Sequence, residues 1–529
     1  MMDSAGVRNG DDARMPSLAF HQRKAAPPRR WTARMAAGDI PTGLFAAAML
    51  LFMATQLLSG LTMPLSMDEG FSAVIAAQPD PASLIRWCLA ELSGPVYYSI
   101  LWGWEKLAGD ANVALRLPGL AFALAAPWLL WAKGPGDRTT RALWAVTVAL
   151  WVPALANGTE VRPYSLILLL ASAQAIAFLR LIEAPDTRRA LLWTGLSALA
   201  VLTHYHAAVI AGLQGMAFVG IWRMRAVRCW PALLPLAPMA VWMMWHLPLL
   251  LKFTGAGGWY LPLGFGDVVH IPLLFFGSVG LGALLVAAMA TTFYARLRQG
   301  ASSRLRFDAS TAEIALAGSG VGAFLIVLAA GFVWPSFIPR YLIAYAPAML
   351  FVVPLWLRGV ARVFPAAPTL IVIAVMATAA VSVADRIAHP EYTARYSFGV
   401  ERPSRWIAEQ GGADRLVFFW DNPTAALADP ARMAEVGGYF LAREGRPAAE
   451  VVLPRYPAGG DPNPVVARLA RGDGAVIWIY DAKVPGTMSA RFPPKLRQDR
   501  AHWNCRDFGS GYVIVLACIP RRTAAAVRS

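Results

Sequence analysis

Apolar runs near the length of a bilayer-spanning helix, about 20 residues, follow one another along most of this 529-residue chain. Such runs occur at Thr42 to Leu61, Val113 to Ala132, Ala142 to Ala156, Pro163 to Leu181, Ala190 to Thr203, Ala207 to Trp222, Trp230 to Leu251, Ile271 to Tyr294, Ile314 to Trp334, Tyr341 to Leu357 and Thr369 to Ala384. Hydrocarbon cannot satisfy exposed peptide groups, so these runs must fold as helices, and they predict about eleven transmembrane spans. The composition agrees, with 57% hydrophobic and only 15% charged residues, where a soluble domain carries roughly a quarter charged. An ordinary water-soluble enzyme is excluded.

The net charge of +16 could mean a nucleic-acid partner, but the placement of the cations argues otherwise. Alternate loops collect them: Arg23, Lys24, Arg29, Arg30 and Arg34; Lys133, Arg138 and Arg141; Arg188 and Arg189; Arg223, Arg225 and Arg228; Arg296, Arg298, Arg304 and Arg306; Arg358 and Arg362. The intervening loops hold isolated cations such as Arg162, Lys252 and Arg340. Basic loops stay cytoplasmic, so the expected topology has a cytoplasmic N-terminus and an outward C-terminus, with no nucleic acid involved. Residues 1–41 read as a polar, disordered cytoplasmic arm. The first apolar run, too long and too far behind that arm for a cleaved signal, reads as an anchor. The Ala, Arg, Gly and Pro bias fits a GC-rich bacterium, and so a cell inner membrane with a periplasmic outer face.

Residues 385–529 change character. Arg415 to Trp420, Ala475 to Tyr480 and Gly511 to Ile519 read as strands, and Ala431 to Arg443 and Pro464 to Arg471 as amphipathic helices, so a small outward-facing soluble α/β domain is expected. Cys505 and Cys518 flank a Gly-Ser-Gly turn and would pair if that face is oxidising.

The chemistry-bearing residues gather in the outward loops. The first, residues 62–112, opens with Ser66-Met67-Asp68-Glu69-Gly70 and continues through Glu91-Leu92-Ser93-Gly94-Pro95-Val96-Tyr97-Tyr98 to Ala114-Leu115-Arg116-Leu117-Pro118. Asp68 and Glu69 either serve at a mouth where a lipid-borne substrate arrives or simply cap the next helix. Glu160-Val161-Arg162-Pro163-Tyr164 opens the fourth span and Pro339-Arg340-Tyr341-Leu342 the tenth. In this order the motifs resemble the GT-C membrane glycosyltransferases: the group of the lipid A aminoarabinose transferase, the protein O-mannosyltransferases and the rhizobial lipopolysaccharide sugar transferases. The chain departs from them at Ser93-Gly94-Pro95, where relatives carry a His or Lys before the prolines, so no role of that residue carries over.

The resemblance implies transfer of a sugar from a polyprenyl phosphate to an acceptor hydroxyl of a glycan, lipid or protein at the outer face, usually with inversion. A phosphate leaves readily as an anion, so a base matters more than an acid. Asp68 is expected to be that base, with Glu69 raising its pKa, orienting the acceptor or helping to hold a divalent ion. Arg162, Arg340 and Lys252 are the candidates for the donor phosphate, and Lys252 lies in a glycine-rich loop with Trp259 and Tyr260. Glu91, Tyr97, Tyr164, Tyr341, His204 and His206 are candidate substrate contacts. The two histidines, two apart on a helix, would diverge and lack a third metal ligand. A transporter or flippase of lipid-linked sugars is the rival reading; it would show inverted repeats and ionisable residues at mid-membrane, whereas here these residues lie at span ends.

Overall fold

The computed structural model describes residues 42–255, 263–271, scattered positions between 282 and 294, and 309–333, 337–362, 364–388, 399–421, 430–453, 474–481, 496–509 and 513–521. The fold is an α-helical membrane bundle with a small C-terminal sheet domain. Among the described residues Asn112–Lys133, Tyr164–Glu183, Thr311–Val333 and Ala367–Asp385 are long and apolar enough to cross a membrane, and Thr42–Leu58, Ala207–Trp222 and Ala346–Val360 are shorter apolar helices. Each expected span coincides with helix except Ile271 to Tyr294, which lies largely outside the described residues. So do the disordered arm and the helix expected at Pro464 to Arg471.

The helices used below are α1 (Thr42–Ser59), α2 (Met67–Ala76), α3 (Pro81–Cys88), α4 (Pro95–Ala108), α5 (Asn112–Lys133), α6 (Arg138–Ala149), α7 (Val152–Asn157), α8 (Tyr164–Glu183), α9 (Thr187–Thr203), α10 (Ala207–Trp222), α11 (Leu236–Gly255), α12 (Thr311–Val333), α13 (Ala346–Leu350), α14 (Val352–Val360) and α15 (Ala367–Ala388). Their starts follow local rules. Asp137 accepts from Thr140 N at 2.7 Å and Asp186 from Arg189 N at 2.8 Å, capping α6 and α9, since a side-chain oxygen satisfies amides that lack an intrahelical partner. The third expected span is broken after Ala149, where Trp151 and Pro153 start α7; proline cannot continue the helical hydrogen-bond ladder. The tenth opens as a 3-10 turn, Pro339–Ala344, before α13 and α14. Helix α8 is buried over most of its length and packs on α5, α9, α12 and α13.

The first loop is itself helical, α2 to α4, and lies over one end of the bundle. Beyond α15 come α16 (Glu401–Glu409), β1 (Arg415–Asp421), α17 (Pro430–Arg443), β2 (Glu450–Val452), β3 (Gly474–Asp481), β4 (Trp503–Asp507) and β5 (Val513–Pro520). The strands form a mixed sheet in the order β2-β1-β3-β5-β4, parallel from β2 to β3 and antiparallel across β3, β5 and β4. Cys505 sits opposite Cys518 in the β4–β5 register and the two form a disulfide. The expected domain division at residue 385 meets a continuous core: Leu65, Met67, Trp87, Tyr97, Tyr98 and Leu101 of the first loop pack in one apolar cluster with Trp406, Phe418, Phe440 and Ile477 of the sheet domain. The sheet domain is packed onto the first loop.

Candidate functional site

The segment before α2 is pinned by a buried arginine. Arg116, on α5 and 3% exposed, donates to the carbonyls of Leu61 and Pro64 at 3.3 and 3.2 Å, and to that of Met63. It also grips Glu69 through Nε and Nη2, at 2.9 to 3.1 Å. Glu69 accepts in addition from Ser66 N at 2.9 Å and Val161 N at 3.1 Å, while Ser66 Oγ accepts from Glu69 N, so Ser66 and Glu69 form a capping box. Breaking a buried ion pair by removing one partner costs about 3–5 kcal/mol. Glu69 thus fulfils the capping alternative raised by the sequence. Its expected service to Asp68 is corrected, because adjacent helical residues point apart and Arg116 claims this carboxylate.

Asp68 faces the other way. Its Oδ2 lies 3.0 Å from Arg340 Nη2, so the two residues brought forward as base and phosphate ligand form an ion pair. Burial pushes the Asp68 carboxyl up, but Arg162 and Arg340, the latter also by hydrogen bonding, outweigh it and hold Asp68 below its ordinary value. Arg162 pairs with Glu91 at 3.3 Å and donates to Tyr98 Oη at 3.0 Å, leaving its sequence neighbour Glu160 aside. Glu91 therefore serves directly as the holder of Arg162. Glu160 is the residue that sequence reasoning left out, although it stood in the quoted motif. Its Oε2 is buried with no hydrogen-bond partner among the described residues. Burial, reinforced by Glu69 and Asp68 against the two arginines, pushes its carboxyl up to about 7.

An aromatic wall completes the cluster. The Arg340 guanidinium lies 5.5 Å from the Tyr164 ring centre and 5.9 Å from that of Tyr341, within cation–π range. His204 and His206 do not diverge on a helix as expected. They occupy the link between α9 and α10, with ring centres 5.4 Å apart, and both face Tyr341 at 4.8 and 4.9 Å. His206 Nδ1 meets Tyr345 Oη at 3.2 Å, whereas buried His204 Nδ1 has no partner among the described residues. Burial depresses both imidazoles, His206 to about 4, so both are neutral. Tyr97 is fully buried and its hydroxyl is likewise without a partner there.

Among the described residues no three His, Cys, Asp or Glu side chains gather as a metal site. Helping Asp68 to hold a divalent ion was one of three roles open to Glu69, but the two carboxylates are taken by different arginines, Glu69 by Arg116 and Asp68 by Arg340. Lys252 lies near the end of α11, but its side chain, like Trp259 and Tyr260, falls outside the described residues.

A helical bundle whose first loop and terminal sheet domain together cover a cluster of carboxylates and arginines is a GT-C arrangement of the ArnT type. The chain matches the crystal structure of ArnT from Cupriavidus metallidurans in the apo state with a TM-score of 0.54 at 12% identity, covering 90% of this chain and 97% of that one. The structure of the same enzyme bound to undecaprenyl phosphate gives a TM-score of 0.51 at 12% identity with the same coverage. No protein-family model matches the sequence, and no curated protein matches it.

Proposed function

We propose that this protein is a membrane glycosyltransferase that moves a sugar from a polyprenyl-phosphate donor to an acceptor hydroxyl at the outer face of the membrane, with inversion and with Asp68 as the base. The observation that carries the reading is the Asp68–Arg340 pair with Arg162 beside it. A donor phosphate is the natural competitor for those guanidinium groups, which bind phosphate through paired hydrogen bonds. In the resting site Asp68 is a weak base because the arginines stabilise its charge. When the phosphate draws Arg340 and Arg162 to itself, Asp68 loses its counter-ions, and its proton affinity rises. The base then becomes competent only once donor is seated. It takes the proton of the acceptor hydroxyl as the oxygen attacks the anomeric carbon from the face opposite the phosphate, and the polyprenyl phosphate departs as an anion held by the arginines. The undecaprenyl phosphate bound by the ArnT structure supports a donor of this class. Glycan, lipid and protein acceptors all offer the hydroxyl that this scheme needs.

The test is transfer from a radiolabelled polyprenyl-phosphate sugar into membrane extract by the purified protein. Wild type should transfer, and Asp68→Asn should lose on the order of 100-fold or more, the range of a general base. Equal rates in the two would remove Asp68 from the role. Movement of intact lipid-linked sugar across vesicles, with no transfer from any donor, would replace the enzyme with a flippase.

A further inference from the structure

The segment that sets Asp68 is gripped from two sides, and only one grip belongs to the bundle. Arg116 holds the carbonyls before α2. The amide of Leu65, the residue before the Ser66 cap, donates instead to Glu401 Oε2 at 2.7 Å, across from the sheet domain. The same carboxylate accepts from Asn112 Nδ2 at 2.9 Å on each oxygen, and Asn112 starts α5 and also donates to Met63 O at 3.4 Å. Within its own domain Glu401 has one charged partner, Arg405 one turn on, which is half exposed. A carboxylate only 3% exposed is costly to bury unless its partners compensate it. Three of its four contacts run across to the first loop, so its carboxylate is directed at that loop. The backbone agrees: a Cβ at Gly399 would stand 2.3 Å from Leu65 O, so the chain entering α16 lies directly against this residue.

We propose that Glu401 is a positioning residue for Asp68, by which the C-terminal domain holds Leu65 and the capped start of α2 so that the carboxylate meets Arg340 and the acceptor. The domain is then part of the transfer machinery as well as a covering surface. This rests on the reading of Asp68 as the base. The contacts fix the backbone three residues before Asp68, and a displacement of about 1 Å at a reacting group costs on the order of 100-fold in rate.

The experiment uses the full-length protein in nanodiscs, comparing wild type with Glu401→Ala and Glu401→Gln by transfer kinetics and by amide hydrogen exchange. For Glu401→Ala, kcat should fall on the order of 100-fold with the KM for donor unchanged. Exchange should quicken at residues 65–69, while β3 and β5 stay as protected as in wild type. Glu401→Gln keeps an oxygen to accept from Leu65 N and should recover most of the rate. Unchanged kcat and unchanged exchange in Glu401→Ala would overturn the proposal. So would a loss of protection spread equally over β3 and β5, which marks a residue that merely stabilises its domain. If wild type transfers no sugar, the base assignment falls by itself, and exchange at residues 65–69 still decides whether Glu401 holds that segment.

Discussion

Glu160 is the carboxylate of this site whose charge changes near neutral pH, because burial pushes it up to about 7 against the pull of Arg340 and Arg162. Its neighbours there are Glu69, Asp68 and those two arginines. Below that value Glu160 is neutral and the arginines face the incoming phosphate with only Asp68 and Glu91 to offset them. Above it a third carboxylate ionises beside them. A sugar-linked phosphate is a diester that stays singly charged throughout this range, so the titration belongs to the protein. Donor affinity should therefore weaken as pH rises through about 7, and Glu160→Gln should bind donor tightly with no such dependence. Donor binding measured on either side of that pH checks it: a variant with the wild-type slope would assign the titration to another group. Much at this level was legible in the residues themselves. Asp68, Arg162 and Arg340 were singled out by type and position, and the structure brings them together. That Glu69 turns inward was not legible, because nothing in Ser66-Met67-Asp68-Glu69 says which carboxylate a distant Arg116 will take.

At Ser93-Gly94-Pro95, which reads in the sequence only as a lost His or Lys, the helices make a close packing contact. Gly94 starts α4 and lies against the end of α9, where a Cβ would stand 1.7 Å from Leu202 O and 2.2 Å from its carbonyl carbon. Its φ of −75° is open to any residue, so space alone demands glycine. This contact seats the start of α4, which carries Tyr98 and follows Glu91, the two partners of Arg162. Gly94→Ala should force α4 off α9 at a cost of about 1–3 kcal/mol, the usual range for overpacking. The thermal midpoint in detergent should drop, and the KM for donor should rise as Arg162 loses its support. A melting curve and donor KM equal to those of wild type would show that the backbone of Leu202 can give way. Helices were readable from hydropathy because each run carries its own periodicity and caps. Contacts such as Gly94 on Leu202, or the two histidines in a link between helices, depend on which helix lies beside which, and no local signal carries that.

The charge asymmetry that set the topology can now be laid on the fold. Helix α8 leaves the site at Tyr164 and ends at Glu183, α9 returns from Thr187 to the histidine link, and α10 leaves again towards Trp222. The basic residues at the far ends of these helices, Arg180, Arg188, Arg189, Arg223, Arg225 and Arg228, therefore share one end of the bundle, and Arg358 joins them there, since its partner Glu313, 2.9 Å away, is close enough to act on Glu183 at the end of α8. The site, the first loop and the sheet domain share the other. For α9, 17 residues long, the ends lie about 25 Å apart at 1.5 Å per residue, most of a hydrocarbon core. The positive-inside rule predicts that the site and the Cys505–Cys518 disulfide face the outer, oxidising side, where such a bond would persist. The fold supplies the separation of the ends and the loops supply the sign, so the orientation is testable independently of any activity. Single cysteines at exposed Glu409 and Arg188, made with Cys88 and Cys229 replaced, should label differently in spheroplasts. A membrane-impermeant maleimide should modify Glu409→Cys at once and Arg188→Cys only after permeabilisation. The reverse pattern would put the arginine and carboxylate cluster on the cytoplasmic side, and a donor presented in the outer leaflet could then no longer be its substrate.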